Sequence, residues 1–418
     1  MANVISDLHL HSKYSRAVSQ DMDLEHMAAW AAKKGIDVIG TSDFTHPEWF
    51  RELTGKLEQQ PNGLYKLKAS SFPVFFIPAT ELSCIYSQGG RTRRIHTVII
   101  APDLKAVELI RTKLGWQGNL KSDGRPILGL SSIELAKNIF DASPDCLIIP
   151  AHAWTPWFSL FGSESGFDSL AECYGEFSDR IYAIETGLSS DPPMNWRLSQ
   201  LDSKQIVSFS DAHSGANLGR EATVFELEEL SFHNISRALT APSVNNRIAY
   251  TIEFFPEEGK YHWDGHRKCE IRFSPQETKE HNSLCPRCGK RLTVGVMSRV
   301  EKIADRPEGY KPDSRPPFKS LVPLAEVIGE ALGVGKGSKS VIAEYDKLIQ
   351  AGKNEFNVLL NVELSELQTM TQPRIVEAIQ KVREGKVHIN PGYDGEYGTV
   401  KIFDEQEENV ATRQSSLF

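Results

Sequence analysis

Short apolar runs that end on Asp, Glu or His recur along the first half of the chain and constrain its fold more than any other feature. The first run leads into Asp7-Leu-His9-Leu-His11, where alternate side chains of a strand would project from one face. Later runs deliver the same residue types at Asp43, Glu81, His152, Glu185, Asp211 and His213. Continuous apolar runs of strand length are typical of strands buried on both faces of a parallel sheet, so the sequence predicts an α/β fold.

These acidic and imidazole side chains are expected to converge. The loops that leave the C-terminal ends of parallel strands meet on one face of a β/α barrel or open sheet, where such folds place their chemistry. Mixed nitrogen and oxygen donors are ligands that Zn and Mn favour, so the sequence predicts a multinuclear metal centre. His96 departs from the pattern because it precedes its apolar run. Either its strand is antiparallel, or His96 lies on the loop before it.

Two or three divalent ions held close together suit phosphoester hydrolysis. One ion lowers the pKa of a bound water, while the others polarise the phosphoryl oxygens and steady the leaving oxygen. The predicted catalytic residues are Asp211, His213 and Glu81. Asp211 or His213 could carry a proton, a role that the sequence does not separate from metal ligation. The identity of the ions, Zn, Mn or Mg, stays open.

Composition excludes several classes of protein. A chain of 418 residues is long enough for two or three globular units, and its net charge of −8 argues against bulk basic binding of nucleic acid. The N-terminus lacks the pattern of a secretory leader, and no apolar run has the length of a membrane span. Six cysteines, three of them scattered, form no disulfide framework. We therefore expect a reduced, cytoplasmic protein with no membrane partner.

A second metal site is predicted farther along the chain, with the spacing of a zinc ribbon. Cys285-Pro-Arg-Cys288-Gly places two thiolates on one tight turn, and a third cysteine lies upstream. The expected ligands are Cys269, Cys285, Cys288 and His266, with His262 and His281 as alternatives to the last. Four protein ligands make a closed site, which indicates one structural zinc ion rather than a catalytic one.

Positive charge gathers after this knuckle in a chain that is otherwise acidic. Lys and Arg outnumber Asp and Glu between Cys285 and Ser320, and Arg91, Arg93 and Arg94 form a second cluster. Local basic excess is the footprint of a polyanion such as DNA, with a solvated face as the alternative. Helices are predicted over 321–332 and 338–350, around a glycine-rich turn that could meet a backbone phosphate or serve only for packing.

The metal motifs resemble those of the PHP (polymerase and histidinol phosphatase) phosphoesterases over roughly residues 1–250. The residues that carry the resemblance are Asp7, His9, His11, Asp43, Glu81, His96, His152, Glu185, Asp211 and His213. The resemblance implies a distorted seven-stranded β/α barrel with up to three metals, held by all of these residues except Asp7. Phe44 stands where many members have His, which makes His46 a candidate substitute.

Almost the whole chain resembles a narrower family, endonuclease Q, and a bacterial member of it. Beyond the metal motifs, the match rests on Asp264-Gly-His266-Arg-x-Cys269, Cys285-Pro-x-Cys288-Gly and Asn390-Pro-Gly-Tyr393-Asp-Gly-x-Tyr397-Gly. The resemblance implies a metal-dependent DNA repair endonuclease, associated with the nucleoid. Such an enzyme cleaves the phosphodiester 5′ to a deaminated base (uracil, hypoxanthine or xanthine) or an abasic site.

Four parts are predicted: a PHP domain over 1–255, a zinc-binding domain over 256–305, a helical DNA-contacting domain over 306–403 and a flexible tail over 404–418. The tail ends in Gln414-Ser-Ser-Leu417-Phe418, which resembles the peptide by which bacterial repair enzymes bind the DNA sliding clamp. The alternative functions are a phosphatase of a small phosphomonoester and a non-catalytic DNA-binding scaffold. The zinc ribbon argues against the first, and the near-complete ligand set argues against the second.

Overall fold

The first apolar run forms a strand in the interior of an eight-stranded sheet. The computed structural model describes residues 1–404, and the predicted tail with its clamp-binding residues Gln414, Leu417 and Phe418 lies outside them. The strands are β1 (Ala2–Asp7), β2 (Val38–Gly40), β3 (Leu57–Gln59), β4 (Tyr65–Leu67), β5 (Phe75–Ile77), β6 (Ala79–Gln88), β7 (Arg91–Ile100), β8 (Ile127–Leu128), β9 (Leu147–Pro150), β10 (Ala183–Glu185), β11 (Gln205–Val207), β12 (Ala222–Leu227), β13 (Asn246–Glu253), β14 (Asp264–His266), β15 (Ile271–Phe273), β16 (Phe318–Ser320), β17 (His388–Asn390) and β18 (Thr399–Lys401).

Helices alternate with these strands and then dominate the C-terminal third. They are α1 (Leu24–Lys34), α2 (Pro47–Lys56), α3 (Leu104–Gly115), α4 (Ser132–Ala142), α5 (Leu170–Tyr174), α6 (Pro192–Trp196), α7 (Phe232–Thr240), α8 (Pro275–Glu280), α9 (Val296–Ile303), α10 (Leu324–Ala331), α11 (Lys339–Gly352), α12 (Glu355–Leu360), α13 (Leu364–Met370) and α14 (Pro373–Arg383). Across residues 1–404, none of the helices is both long enough and apolar enough to cross a bilayer. The predicted mixed α/β class is confirmed.

The hydrogen-bonded strands fall into separate sheets. The largest has the order β16-β13-β12-β1-β2-β5-β4-β3, and a four-stranded sheet has the order β8-β6-β7-β9. Two-stranded sheets form from β10 with β11, β14 with β15 and β17 with β18. Pairing is parallel for β1 with β2 and for β2 with β5, whereas β12 runs antiparallel to β1.

The expectation of a seven-stranded barrel needs correction, because the strands do not close into a continuous ladder. Pro78 carries the chain from β5 into β6, so one extended segment leaves the large sheet and enters the four-stranded one. The strands β10 and β11 have only three residues each. Where β11 approaches β12, a hydrogen bond to a side chain stands in place of backbone pairing between the strands. There the amide of Ser208 donates to Oγ1 of Thr223 at 3.0 Å. Because these strands are so short, the sheets do not join into a closed barrel.

His96 lies in the middle of β7, which pairs antiparallel with both β6 and β9. The first of the two alternatives for His96 is therefore correct. An antiparallel strand presents its ligand from its interior rather than from its C-terminal end, which explains why His96 precedes most of its apolar run.

Local signals explain how the first helix is bounded. Asp23 caps α1 by accepting the amide of His26, and Gly35 ends it with φ of 86°. Its apolar stripe is buried, at Leu24, Met27, Ala28 and Ala31. The C-terminal end of α1 packs against α12, so this helix contacts the helical region of the C-terminal third.

A buried ion pair joins the catalytic half to the helical region. Lys34 Nζ at the end of α1 lies 2.8 Å from an oxygen of Glu355 at the start of α12, and both side chains are buried. Glu355 also accepts the amide of Leu324 at 3.0 Å and the hydroxyl of Tyr345 at 2.7 Å. Strand β16 adds to the same junction by pairing in parallel with β13.

Candidate metal centre

Four of the predicted ligands meet in one buried group. Ligand atoms of His9, His11, Glu81 and Asp211 all lie within 4.8 Å of one another. Nε2 of His11 is 3.0 Å from Oδ1 of Asp211 and 3.2 Å from Oε2 of Glu81. Despite these short separations, Nε2 of both histidines and Oδ1 of Asp211 are buried and form no hydrogen bond of suitable angle among residues 1–404. Buried polar atoms are costly when unpaired, so this donor set fits a cation bound between them.

A second group adjoins the first and shares Glu81 with it. Its members are Glu81, His96 and His152. Oε1 of Glu81 lies 2.7 Å from Nδ1 of His96 and 3.2 Å from Nε2 of His152. One carboxylate oxygen therefore faces each group, which is suitable for two neighbouring divalent ions. Burial lowers the pKa of His96 to about 4, which keeps that imidazole neutral and able to ligate.

Two predicted ligands lie behind the histidines instead of between them. Oε1 of Glu185 is 2.9 Å from Nδ1 of His9, and Oδ1 of Asp43 is 3.3 Å from Nδ1 of His11. Asp43 also accepts the amide of Ser12 at 2.7 Å. Carboxylates on the far nitrogen of a ligating imidazole fix its tautomer and orientation. The geometry thus favours an orienting role for Asp43 and Glu185.

The remaining predicted residues stand at the edge of the centre. His213 lies outside both groups, with Nδ1 2.9 Å from the carbonyl oxygen of Asp211 and its ring 4.6 Å from that of His11. Asp7 accepts the amides of Ser210 at 3.0 Å and Gly219 at 2.9 Å, so it supports the loop that carries Asp211. His46 precedes α2 and belongs to neither group.

Sequence reasoning missed one residue that contacts the shared carboxylate. Nη1 of Arg125 donates to Oε2 of Glu81 at 2.7 Å. Arg125 lies on the loop between α3 and β8, where no apolar run precedes it. The pattern of apolar runs that end on Asp, Glu or His therefore does not indicate Arg125.

The four residues expected to hold a structural zinc are also brought together. His266, Cys269, Cys285 and Cys288 place their ligand atoms within 4.8 Å of one another. The knuckle is a tight turn, in which the amide of Gly289 donates to the carbonyl oxygen of Cys285 at 2.8 Å. Within the part of the chain that the structure describes, neither alternative histidine joins this group. His281 stacks on Phe273 with ring centres 4.6 Å apart, and His262 is buried elsewhere.

A pair of buried carboxyl groups lies behind the centre. Glu253 accepts the hydroxyls of Thr186 at 3.0 Å and Ser208 at 3.1 Å, and Glu221 accepts the amide of Phe254 at 3.3 Å. Burial raises the pKa of Glu253 to about 8, and burial together with the charge of Glu253 raises the pKa of Glu221 well above its ordinary value. The folded protein therefore keeps protons here that the unfolded chain releases.

Glu253→Gln should flatten the dependence of stability on pH. Between the ordinary pKa of 4.5 and the folded pKa of about 8, only the folded state holds the proton on Glu253, so stability falls as pH rises through this window. A neutral amide removes that loss. Urea unfolding on both sides of the window measures the effect, with the exposed Glu228→Gln as the control. An unchanged slope in Glu253→Gln would show that Glu253 ionises normally.

Comparison with known proteins places these sites in a family. Residues 323–386 match the family model of the MJ0043 C-terminal domain. The uncharacterised protein MJ0043 of Methanocaldococcus jannaschii is 36% identical over 264 residues, which are 62% of this chain and 32% of that protein. The match therefore spans about a third of that relative. The uncharacterised protein YqxK of Bacillus subtilis is 29% identical over 96% of this chain and 100% of its own length.

Two solved structures match over nearly the whole chain. The lesion-specific endonuclease PfuEndoQ of Pyrococcus furiosus has a TM-score of 0.85 and 32% identity, and the match covers 98% of this chain and 99% of that one. An endonuclease Q in complex with a 27-mer duplex substrate that has an abasic lesion at the active site gives a TM-score of 0.84 and 33% identity, with 97% and 98% covered.

Agreement of this extent defines the class of the protein as an endonuclease, and hence as a hydrolase. The chain belongs to the endonuclease Q family. The full-length match to the Bacillus protein agrees with a bacterial member.

Proposed function

We propose that this protein is a DNA repair endonuclease that cleaves the phosphodiester 5′ to a deaminated base or an abasic site. The observation that carries the proposal is Glu81, whose two oxygens face two adjacent groups of buried ligands. The related endonuclease Q that was solved with an abasic duplex supports DNA as the substrate. Uracil, hypoxanthine and xanthine are the bases that we expect to be recognised.

The residues of the first group, His9, His11, Glu81 and Asp211, would hold one divalent ion, and Glu81 would share a second with His96 and His152. Zn, Mn and Mg are the candidate ions, and the presence of a third ion stays a prediction. Bound ions would supply a nucleophilic hydroxide and draw charge from the phosphoryl oxygens. Asp43 and Glu185 would keep the imidazoles of His11 and His9 in place.

His213 is the residue best placed to move a proton. Its side chain is 32% exposed, beside Asp211 at the edge of the centre. Burial lowers the pKa of His213 below its ordinary value, so its imidazole is neutral at physiological pH. A neutral imidazole in this position could accept a proton from the attacking water or pass one to the leaving oxygen.

Outside the catalytic unit over 1–255, we propose that the zinc-binding unit over 256–305 and the helical unit over 306–403 hold the DNA. The damaged nucleotide would leave the base stack to reach the ligands, at a lower cost for a mismatched or missing base. We further propose that Gln414, Leu417 and Phe418 bind the sliding clamp. Clamp binding that survives deletion of Leu417 and Phe418 would remove this last proposal.

Cleavage of labelled duplexes tests the proposed activity. Each duplex carries one uracil, hypoxanthine, xanthine or abasic site, and each is incubated with Zn, Mn or Mg or with a chelator. We expect a single metal-dependent nick 5′ to the lesion and little cleavage of the undamaged duplex. Equal rates on damaged and undamaged DNA would refute lesion specificity. Hydrolysis of a small phosphomonoester without any nicking would favour a phosphatase.

A further inference from the structure

A cavity of about 300 Å³ opens directly beside the metal ligands. The residues that define its character are Arg16, Ser83, His96, Asp123, Arg125 and Phe158. His96 belongs to the second ligand group, so the cavity adjoins the proposed reaction centre. The ring of Phe158 packs 4.6 Å from that of His96 and forms an apolar wall.

Arg125 is held firmly at the inner side of this cavity. One of its guanidinium nitrogens, Nη1, donates to Glu81 at 2.7 Å. Its own amide donates to Oδ1 of Asp123 at 3.1 Å, and the carbonyl oxygen of the next residue, Pro126, accepts the amide of Ser83 at 3.2 Å. The backbone on both sides of Arg125 is thereby fixed, while its side chain remains 28% exposed.

A second guanidinium lies at the outer side. Nε of Arg16 is 3.2 Å from Oδ2 of Asp123, and the Arg16 side chain is 83% exposed. Asp123 therefore bonds to Arg16 and to the backbone of Arg125, which fixes the spacing of the two loops. Ser83 also lines the cavity, and its buried hydroxyl has no hydrogen-bond partner within residues 1–404.

The chemistry of these groups selects a particular kind of ligand. Two guanidinium groups face the cavity with one lining carboxylate, Asp123, and Glu81 would share its charge with the ions proposed between the ligand groups. Arginine binds the anionic oxygens of phosphate through paired N–H donors. A neutral sugar or base lacks this negative charge and is bound less strongly by such donors. A phosphodiester has several anionic oxygens in a small volume and fits this set of donors.

We propose that this cavity binds the scissile phosphodiester of the substrate strand and that Arg125 contacts its non-bridging oxygens. The inference rests on the proposed function and assigns the phosphate to a defined side of the metal ligands. Arg125 would hold the phosphate against Glu81 and its neighbours while Arg16 guides the adjoining backbone. Phe158 would keep the opposite wall free of water.

Substitution of Arg125 tests this assignment. Single-turnover cleavage of an abasic duplex should fall by about 100-fold in Arg125→Gln, the loss typical of one donor to a charged transition state. Arg125→Lys should recover part of the rate because it keeps the charge without the fork. Arg180→Gln is the control, since Arg180 packs on the ring of Phe140 and bonds to the carbonyl of Pro144, away from the cavity.

Two further measurements separate contact with phosphate from support of Glu81. Bound metal per chain, measured by elemental analysis, should be the same in Arg125→Gln and the wild-type protein. Guanidinium ions added to Arg125→Ala should restore part of its cleavage rate. Loss of metal without rescue would overturn the proposal and leave Arg125 as a support for Glu81, and an unchanged rate in Arg125→Gln would overturn it as well.

Titration with inorganic phosphate keeps this inference distinct from the proposed function. The wild-type protein and Arg180→Gln should bind phosphate, followed by calorimetry, and Arg125→Gln should bind it at least about tenfold more weakly. If the wild-type protein nicks no damaged duplex yet shows this pattern, the function is wrong and the anion site stands. Equal phosphate binding by all three proteins refutes the site.

Discussion

Asp211→Asn is expected to lower the rate of lesion cleavage by about 1,000-fold or more, while binding of the same duplex persists. Asp211 Oδ1 lies 3.0 Å from Nε2 of His11 and 3.7 Å from Nε2 of His9, so it faces the point where an ion would be bound. An amide at this position has no negative charge for the ion. Single-turnover kinetics and equilibrium binding of one labelled abasic duplex measure the two effects separately.

The backbone conformation at residue 211 is compatible with both Asp and Asn. Asp211 has φ of 48°, in the left-handed region, which Asn tolerates as well as Asp does. The loop should therefore keep its shape in the variant. The exposed Asp141→Asn on α4 serves as the control and should cleave at the wild-type rate. Normal turnover in Asp211→Asn would remove Asp211 from the chemistry.

Cys285→Ser is expected to abolish binding of the proposed structural zinc and to reduce both stability and DNA affinity. Cys285 is buried, and its sulfur lies within 4.8 Å of the other three ligand atoms of the group. Structural zinc contributes on the order of 10 kcal/mol to the folding of small zinc domains, so its loss should unfold residues near the knuckle. Zinc content, thermal unfolding and duplex binding should all change together.

A cysteine in the core supplies the control for this experiment. Cys146 is buried immediately before β9, outside the candidate zinc group. Cys146→Ala should lower the melting temperature through lost packing and leave the zinc content unchanged. Full zinc content and normal affinity in Cys285→Ser would show that Cys285 is not a ligand.

The candidate ligands of the metal centre could be predicted from the sequence because the pattern that indicates them is local. His9, His11 and Asp211 each follow an apolar strand, and this rule depends only on neighbours along the chain. It does not specify which imidazole nitrogen a carboxylate reaches. The positions of Asp43 and Glu185 behind His11 and His9 therefore emerge only from the packing of distant strands.

Contacts between distant segments also explain the other differences. Closure of the barrel depends on whether short strands can bond edge to edge, and the pairing of Ser208 with Thr223 could not be read from either segment alone. Arg125 meets Glu81 across 44 positions of sequence and carries no local signal. By contrast, Cys285 and Cys288 could be predicted as candidate zinc ligands, because their CPxC spacing itself creates the tight turn.

The ion pair between Lys34 and Glu355 has a consequence for how the molecule comes apart. Opening the helical region away from the first half of the chain would break this ion pair together with the pairing of β16 with β13. Two separate contacts therefore oppose local opening of the helical region. We expect one cooperative transition, with the amides of α12 exchanging their hydrogens about as slowly as those of β13.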